Sequence, residues 1–246
     1  MKRIKRASAL LLAVILLSGC ASDEIPTDVS TGDEADESFV DFDKLAVINS
    51  DIIAWVRIPG TMIDYPVLQS SEGDDDYYRT HDYAGKEDPK GAIYIEAANS
   101  ADMCDFNEVF LGSAPADGTL FATLPQYLDR AFFDEHSFIH VYMNGNALMY
   151  YVFAAYERDN TRLLSQYDFS YATGCQDFIE EIFDSRTMNK VVRTDWEGQI
   201  IPENFLLTLS TVNPDTGKQM VVIGSLIGDV AGTIDRYVDY GDPEEY

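Results

Sequence analysis

Side chains able to attack a carbonyl or carry a proton are scarce here: 246 residues hold three cysteines and three histidines. The cysteines are Cys20, Cys104 and Cys175, and the histidines are His81, His136 and His140. Covalent acyl chemistry needs a thiolate or activated hydroxyl, a base within reach, and a donor for the developing oxyanion. Ser210 and Thr211 lie in the run Leu209-Ser210-Thr211-Val212. A hydroxyl needs a base, however, and alternation along a strand turns the two side chains to opposite faces. His136 and His140 lie around Phe132-Phe133 and the start of a strand, and His81 lies in a loop. The carboxylates of Asp74-Asp75-Asp76, Asp102 and Asp105 could ligate calcium, a hard cation, but no spaced loop pattern accompanies them. They read as solvated loop residues, so no metal and no cofactor is expected. The 15 tyrosines and 13 phenylalanines fall mostly at strand positions and read as core.

Charge narrows the partners. Asp and Glu number 43 against 17 Lys and Arg, a formal net charge of −26. Such an excess of carboxylates excludes a nucleic-acid partner, because phosphate binding needs Lys and Arg to displace counterions. It equally excludes a polybasic membrane patch.

The N-terminus reads as a targeting segment. Lys2, Arg3, Lys5 and Arg6 precede an apolar run, Ala9 to Leu17, that is short for a membrane span. Leu17-Ser18-Gly19-Cys20 then looks like a bacterial lipobox, which implies cleavage before Cys20 and a diacylglycerol on its sulfur. Residues 1–19 are thus expected to be a lipoprotein signal peptide, and Cys20 a lipid anchor holding the mature chain on the extracellular face of the cell membrane. Residues 20–38 are acidic and carry few large apolar side chains, so they read as a flexible tether. From residue 39 to 246 apolar residues recur without a second linker, giving one domain with enough hydrophobic content (46%) for a sizeable core. Cys104 and Cys175 remain in a compartment that permits disulfides, and two separate thiols are the expected state.

The elements that must position any chemistry are mostly strands. Phe39 to Asn49 has helical spacing at Phe42, Leu45, Ala46 and Ile48, and Ala172 to Phe183 has it at Phe178, Ile179, Ile182 and Phe183. Strands are expected over Ile52 to Ile58, Met62 to Leu68, Ala92 to Glu96, Glu108 to Leu111, Phe138 to Met143, Ala147 to Tyr156, Phe205 to Val212 and Met220 to Ile227. Asn144-Gly145-Asn146 marks a hairpin, and Asn213-Pro214-Asp215-Thr216-Gly217 marks a turn. Many short strands and few helices predict a mainly β fold, a barrel or a sandwich.

The order of these pieces resembles the class B sortases, cysteine transpeptidases that attach proteins to Gram-positive cell walls. Asn49-Ser50-Asp51, Trp55, Ile58-Pro59-Gly60-Thr61 and Tyr65-Pro66-Val67-Leu68-Gln69 are similar to that family's opening motif. Asp75-Asp76-Tyr77-Tyr78 and Gly91-Ala92-Ile93-Tyr94-Ile95 continue it, departing at Glu96 where the family tends to have Asp. Asp117-Gly118-Thr119-Leu120-Phe121, with Leu124 and Tyr127, resembles the segment after the family's catalytic His, and Thr208-Leu209-Ser210-Thr211 the segment before its catalytic Cys. The resemblance spans residues 39–228. It implies a closed sortase-like barrel of about eight strands, with an N-terminal helix and an inserted helix before the last two strands.

The resemblance also implies three catalytic roles, and this sequence fills none of them. Val212 stands where the family has its nucleophilic Cys, Ser113 where it has His, and Gln219 where it has Arg. An isopropyl group cannot form an acyl-enzyme, Ser113 is no acid or base near neutrality, and Gln219 carries no charge. Losing a nucleophile from a coupled catalytic unit costs about 10⁶ in rate. A pseudoenzyme is therefore expected: a binding or scaffold lipoprotein of the cell envelope, whose groove takes a peptide sorting signal or a cell-wall fragment. The alternative is a divergent class B sortase, a transpeptidase or hydrolase using a non-standard nucleophile such as Cys104 or Cys175.

Overall fold

Residues 40–241 are described by the computed structural model, so the expected signal peptide, the Cys20 anchor and the whole of the expected tether fall in residues 1–39, outside the described residues. Alternation sets the first wall. In β1 (Ile52–Arg57) Ile52, Ala54 and Val56 are buried while Ile53, Trp55 and Arg57 are half-exposed, as expected for a strand with one face on a core. A short helix, α1 (Phe42–Ile48), precedes it, with the Asp41 carboxylate accepting from the Lys44 amide at its N-terminus. The remaining strands are β2 (Asp64–Gln69), β3 (Ile93–Ile95), β4 (Asn107–Leu111), β5 (Phe138–Met143), β6 (Asn146–Arg158), β7 (Lys190–Val192), β8 (Leu206–Val212) and β9 (Gln219–Asp229).

The strands follow the order β5-β1-β2-β3-β4-β8-β9-β6, and β6 pairs back onto β5, closing a barrel of eight. β7 hangs on β6 outside the ring. Most pairings are antiparallel, but β2–β3 and β4–β8 are parallel, so the C-terminal ends of β4 and β8 emerge side by side. One hydrophobic cluster fills the barrel, with Val56, Phe110, Phe121, Leu207, Leu209, Met220 and Val222 among its members. A second covers the outer side of β4, β8, β9 and β6, where α3 (Ala172–Asp184) lays Phe178, Ile179 and Ile182 against Val109, Leu206, Val221 and Ile223. Because both its faces are covered, β8 is buried along nearly its whole length. This explains its unbroken run Leu206-Leu207-Thr208-Leu209.

Two elements escape the sequence pattern. α2 (Arg130–Glu135) is six residues long, shorter than two turns, and is started by the Asp129 carboxylate accepting from the amides of Ala131 and Phe132. β7 is three residues long, and all three are half-buried, so it shows no alternation.

Candidate functional site

The parallel β4–β8 ladder brings together residues a hundred positions apart. Leu111 pairs with Ser210, and the Gly112 amide donates to the Ser210 carbonyl at 3.1 Å. The paired ladder ends there: Ser113 lies two residues past the end of β4, and Val212 is the last residue of β8. Across the β8–β9 hairpin Val212 pairs with Gln219, and across β9–β6 Gln219 pairs with Arg158. One row, Val212–Gln219–Arg158, thus crosses three strands at one end of the sheet, the end at which the chain leaves β4 toward Ser113. The neighbouring row is Leu111–Ser210–Val221–Tyr156. Val221 and Tyr156 belong to the outer cluster and Leu209 and Met220 to the barrel core, so both rows lie on the outer face.

Each position has its own local support. Gly112 lets the end of β4 lie against the Phe121 ring, where an added Cβ would sit 2.7 Å from a ring carbon. The Ser113 carbonyl accepts from the Phe121 amide at 3.0 Å, and its hydroxyl donates to the Lys90 carbonyl at 2.6 Å. That hydroxyl proton is held by a neutral acceptor rather than a base. Val212 is 45% exposed, so its isopropyl group meets solvent at the strand end. Thr211, one residue back, points into the barrel and is buried with no hydrogen-bond partner for its hydroxyl.

Gln219 is buried and held from two sides. Its Oε1 accepts from Arg158 Nη1 at 2.9 Å and its Nε2 donates to Ser210 Oγ at 2.9 Å. Arg158 in turn donates through Nε to Glu181 Oε1 on α3 at 2.9 Å. Glu181 also accepts from the Tyr156 hydroxyl at 3.0 Å and from the Tyr167 hydroxyl. Burial pushes the Glu181 carboxyl up, but the hydrogen bonds from Arg158 and Tyr167 prevail and hold it below the usual carboxylate range. A guanidinium, that of Arg158, therefore stands one strand away from Gln219, neutralised by a carboxylate.

The hairpin that carries Val212 and Gln219 is anchored by Glu157. Asn213 Nδ2 and Thr216 Oγ1 donate to its Oε1 at 2.6 and 2.7 Å, and Asn189 donates to its Oε2. Against the opposing effect of burial, these bonds from Thr216, Asn189 and Asn213 keep its carboxyl lowered. Gly217 closes the turn at φ +68°, a conformation that costs glycine little.

The other candidate nucleophiles and bases stand elsewhere. Cys104 precedes the N-terminal end of β4, the end away from Ser113, and its sulfur lies 4.0 Å from the Thr233 carbonyl. Burial raises its thiol above the ordinary value, the wrong direction for a nucleophile. Cys175 is buried on α3, where burial pushes its thiol up to about 11. Both cysteines are free. His81 stacks on Tyr77 with ring centroids 4.0 Å apart, His136 ends α2 with Nδ1 3.1 Å from the Pro59 carbonyl, and His140 lies in β5. Asp75 and Asp76 pair with Arg162, and Asp74 accepts from the Asp76 amide. Among the described residues no three His, Cys, Asp or Glu side chains gather to hold a metal ion. Two cavities, of about 570 and 330 Å3, open near Gln69–Ser71 and near the β5–β6 hairpin, and Ser113, Val212 and Gln219 line neither.

Sequence reasoning missed Arg158, Glu157 and Glu181. The signals were a charged pair, Glu157-Arg158, ending a long apolar strand, and a carboxylate three residues after Phe178 on the buried stripe of α3.

No family model matches the chain. It is 28% identical over 189 residues to sortase B of Staphylococcus aureus (strain NCTC 8325 / PS 47), covering 76% of this chain and 74% of that protein. It is 29% identical over 189 residues to sortase B of Listeria monocytogenes serovar 1/2a, covering 74% and 72%. Among solved structures, Clostridium perfringens sortase B superposes with a TM-score of 0.66 at 25% identity, over 76% of this chain and all of that one. The Staphylococcus aureus sortase B–substrate complex superposes at 0.64 and 27% identity, over 76% and 84%. The aligned share, the closed barrel of eight and the helix ahead of its final hairpin agree with one another: in sequence and in fold, this chain is class B sortase-like.

Proposed function

We propose that the chain is a non-catalytic sortase-like lipoprotein, anchored through Cys20 on the extracellular face of the cell membrane, whose groove holds an extended peptide without processing it. The observation that carries this reading is Val212. At the position where the family has its sulfur nucleophile, a solvent-facing isopropyl group stands at the end of β8. Ser113 is committed to a backbone carbonyl and Gln219 to Arg158 and Ser210, so the row offers shape and hydrogen bonding but no base and no free cation. Binding of peptides by relatives supports the ligand class, since sortase B has been solved with a substrate and with a triglycine peptide.

The test uses the purified chain, titrated calorimetrically with sorting-signal peptides and, in a second arm, with cell-wall fragments. Saturable peptide binding without cleavage of a quenched sorting-signal peptide is expected. No heat at millimolar peptide refutes the groove reading. Turnover that disappears on Cys104→Ala, Cys175→Ala or Ser113→Ala refutes the non-catalytic reading in favour of a divergent transpeptidase or hydrolase. Mass spectrometry of the protein extracted from membranes reads the anchor: an intact residue 1–19 segment, or an unmodified Cys20, excludes it.

A further inference from the structure

The connection between β6 and α3, residues 159–171, does not stay beside the strand it leaves. Arg162, four residues past the end of β6, reaches Asp76 Oδ1 at 2.8 Å, Glu96 Oε1 at 3.3 Å and Asp75 Oδ2 at 3.6 Å. Asp75 and Asp76 belong to the β2–β3 connection, and Glu96 immediately follows β3. In the sheet, β9, β8 and β4 lie between β6 and β3. The connection therefore straps the outer face obliquely across three strands, from Arg158 in the row of Val212 and Gln219 to Glu96, two residues past the Tyr94 that pairs with Leu111.

What the strap covers is the polar layer of that site. Leu163 is buried in the outer cluster, with Leu164 and Tyr167 packed against it. Thr161 Oγ1 donates to Gln166 Oε1, which also accepts from Arg158, and Tyr167 donates to Glu181. Ser210 and Gln219 are buried, whereas Val212, at the margin, is open. The far attachment is electrostatic and partly wet: Arg162 is 49% exposed and Asp76 is open, while Glu96 is buried. The near attachment is apolar. Such a strap has one firm end and one that salt can loosen.

We propose that Arg162 is the latch of this strap, and that its grip on Asp75, Asp76 and Glu96 sets how wide the groove opens. This rests on the reading of the row as a ligand groove, and it adds a control on entry. Releasing the latch exposes Ser210 and Gln219 and extends the groove from one row to two. A ligand carrying a cationic group at the matching place competes with Arg162 for the three carboxylates.

The experiment needs no ligand. In the full chain carrying Ser210→Cys, alkylation of residue 210 by neutral iodoacetamide is followed by peptide mass spectrometry, together with amide exchange over residues 159–167. Arg162→Ala is expected to speed both by about fivefold to tenfold, the scale of a few partly exposed ion pairs, while amides of β1 and β5 keep their rates. Arg162→Lys is expected to lie between. Raising salt from 0.05 to about 1 M, across which charges are screened to a few ångströms, should speed the parent chain and leave Arg162→Ala unchanged. Equal rates in parent and Arg162→Ala, or equal salt responses, overturn the latch. Absence of peptide binding with the latch effects present refutes the groove reading and leaves the strap standing.

Discussion

Replacing Gln219 by arginine supplies the residue type that the resemblance to class B sortases implies at this position, and the structure predicts that this chain will resist it. Arg158 Nη1 already lies 2.9 Å from Gln219 Oε1, and both side chains are more than nine-tenths buried. A second guanidinium there exchanges an amide acceptor for a like charge about 4 Å away, which at an effective dielectric of about 20 costs about 4 kcal/mol. Glu181, 2.9 Å from Arg158, neutralises part of that field, and a long arginine can swing toward the open margin at Val212, so a net loss of about 2–3 kcal/mol is expected. The assay is a double-mutant cycle by urea unfolding with Arg158→Gln, Gln219→Arg and the pair. Because the repulsion exists only when both cations are present, the pair should be more stable than the sum of the singles by about 2 kcal/mol. Additivity within about 0.5 kcal/mol would mean the two side chains do not meet, and the reasoning fails. The same logic predicts that Ser113→His, Val212→Cys and Gln219→Arg together gain transpeptidase activity only when Arg158 is also neutralised.

Two further outcomes concern buried carboxyls. Glu108 is fully buried on β4 with Oε2 unpartnered, and burial, reinforced by Asp105, raises its carboxyl well above the usual range. The folded state therefore keeps a proton that the unfolded chain loses above about pH 4.5, so stability falls as pH rises through that value toward the folded one. Glu108→Gln should remove that decline and stabilise the domain by about 1–3 kcal/mol at pH 7, read as a flatter stability–pH curve; an unchanged slope would locate the titration elsewhere. Glu157 has the opposite sign: its lowered carboxyl contributes stability that is present above the unfolded value and lost as pH falls through the folded one. Glu157→Ala leaves Asn213, Thr216 and Asn189 without their acceptor, so a loss of about 2–4 kcal/mol is expected at pH 7 and a smaller one near pH 3. Equal losses at both pH values would assign the effect to packing alone.

Much of the barrel was legible in the chain because its signals are local. Period-two burial in β1, the turn residues around Gly217 and the apolar stripe of α3 are each set by side chains within a few positions of one another. The elements that went unread, α2 and β7, are shorter than the period that would reveal them. The residue types at 113, 212 and 219 could be placed only through the order of flanking motifs, since nothing local distinguishes Val212 from any other strand valine.

From the chain alone came the strand-rich class, the acidic balance that argues against a nucleic-acid partner, and the chemical poverty of Ser113, Val212 and Gln219, because these depend on residue identity. The tertiary structure decided the rest. Parallel pairing of β4 with β8 sets Leu111 beside Ser210, cross-strand register sets Arg158 against Gln219, and the strap carries Arg162 to Glu96. Such contacts join residues tens to a hundred positions apart, and they exist only once the whole sheet has closed and its register is set by which faces are buried.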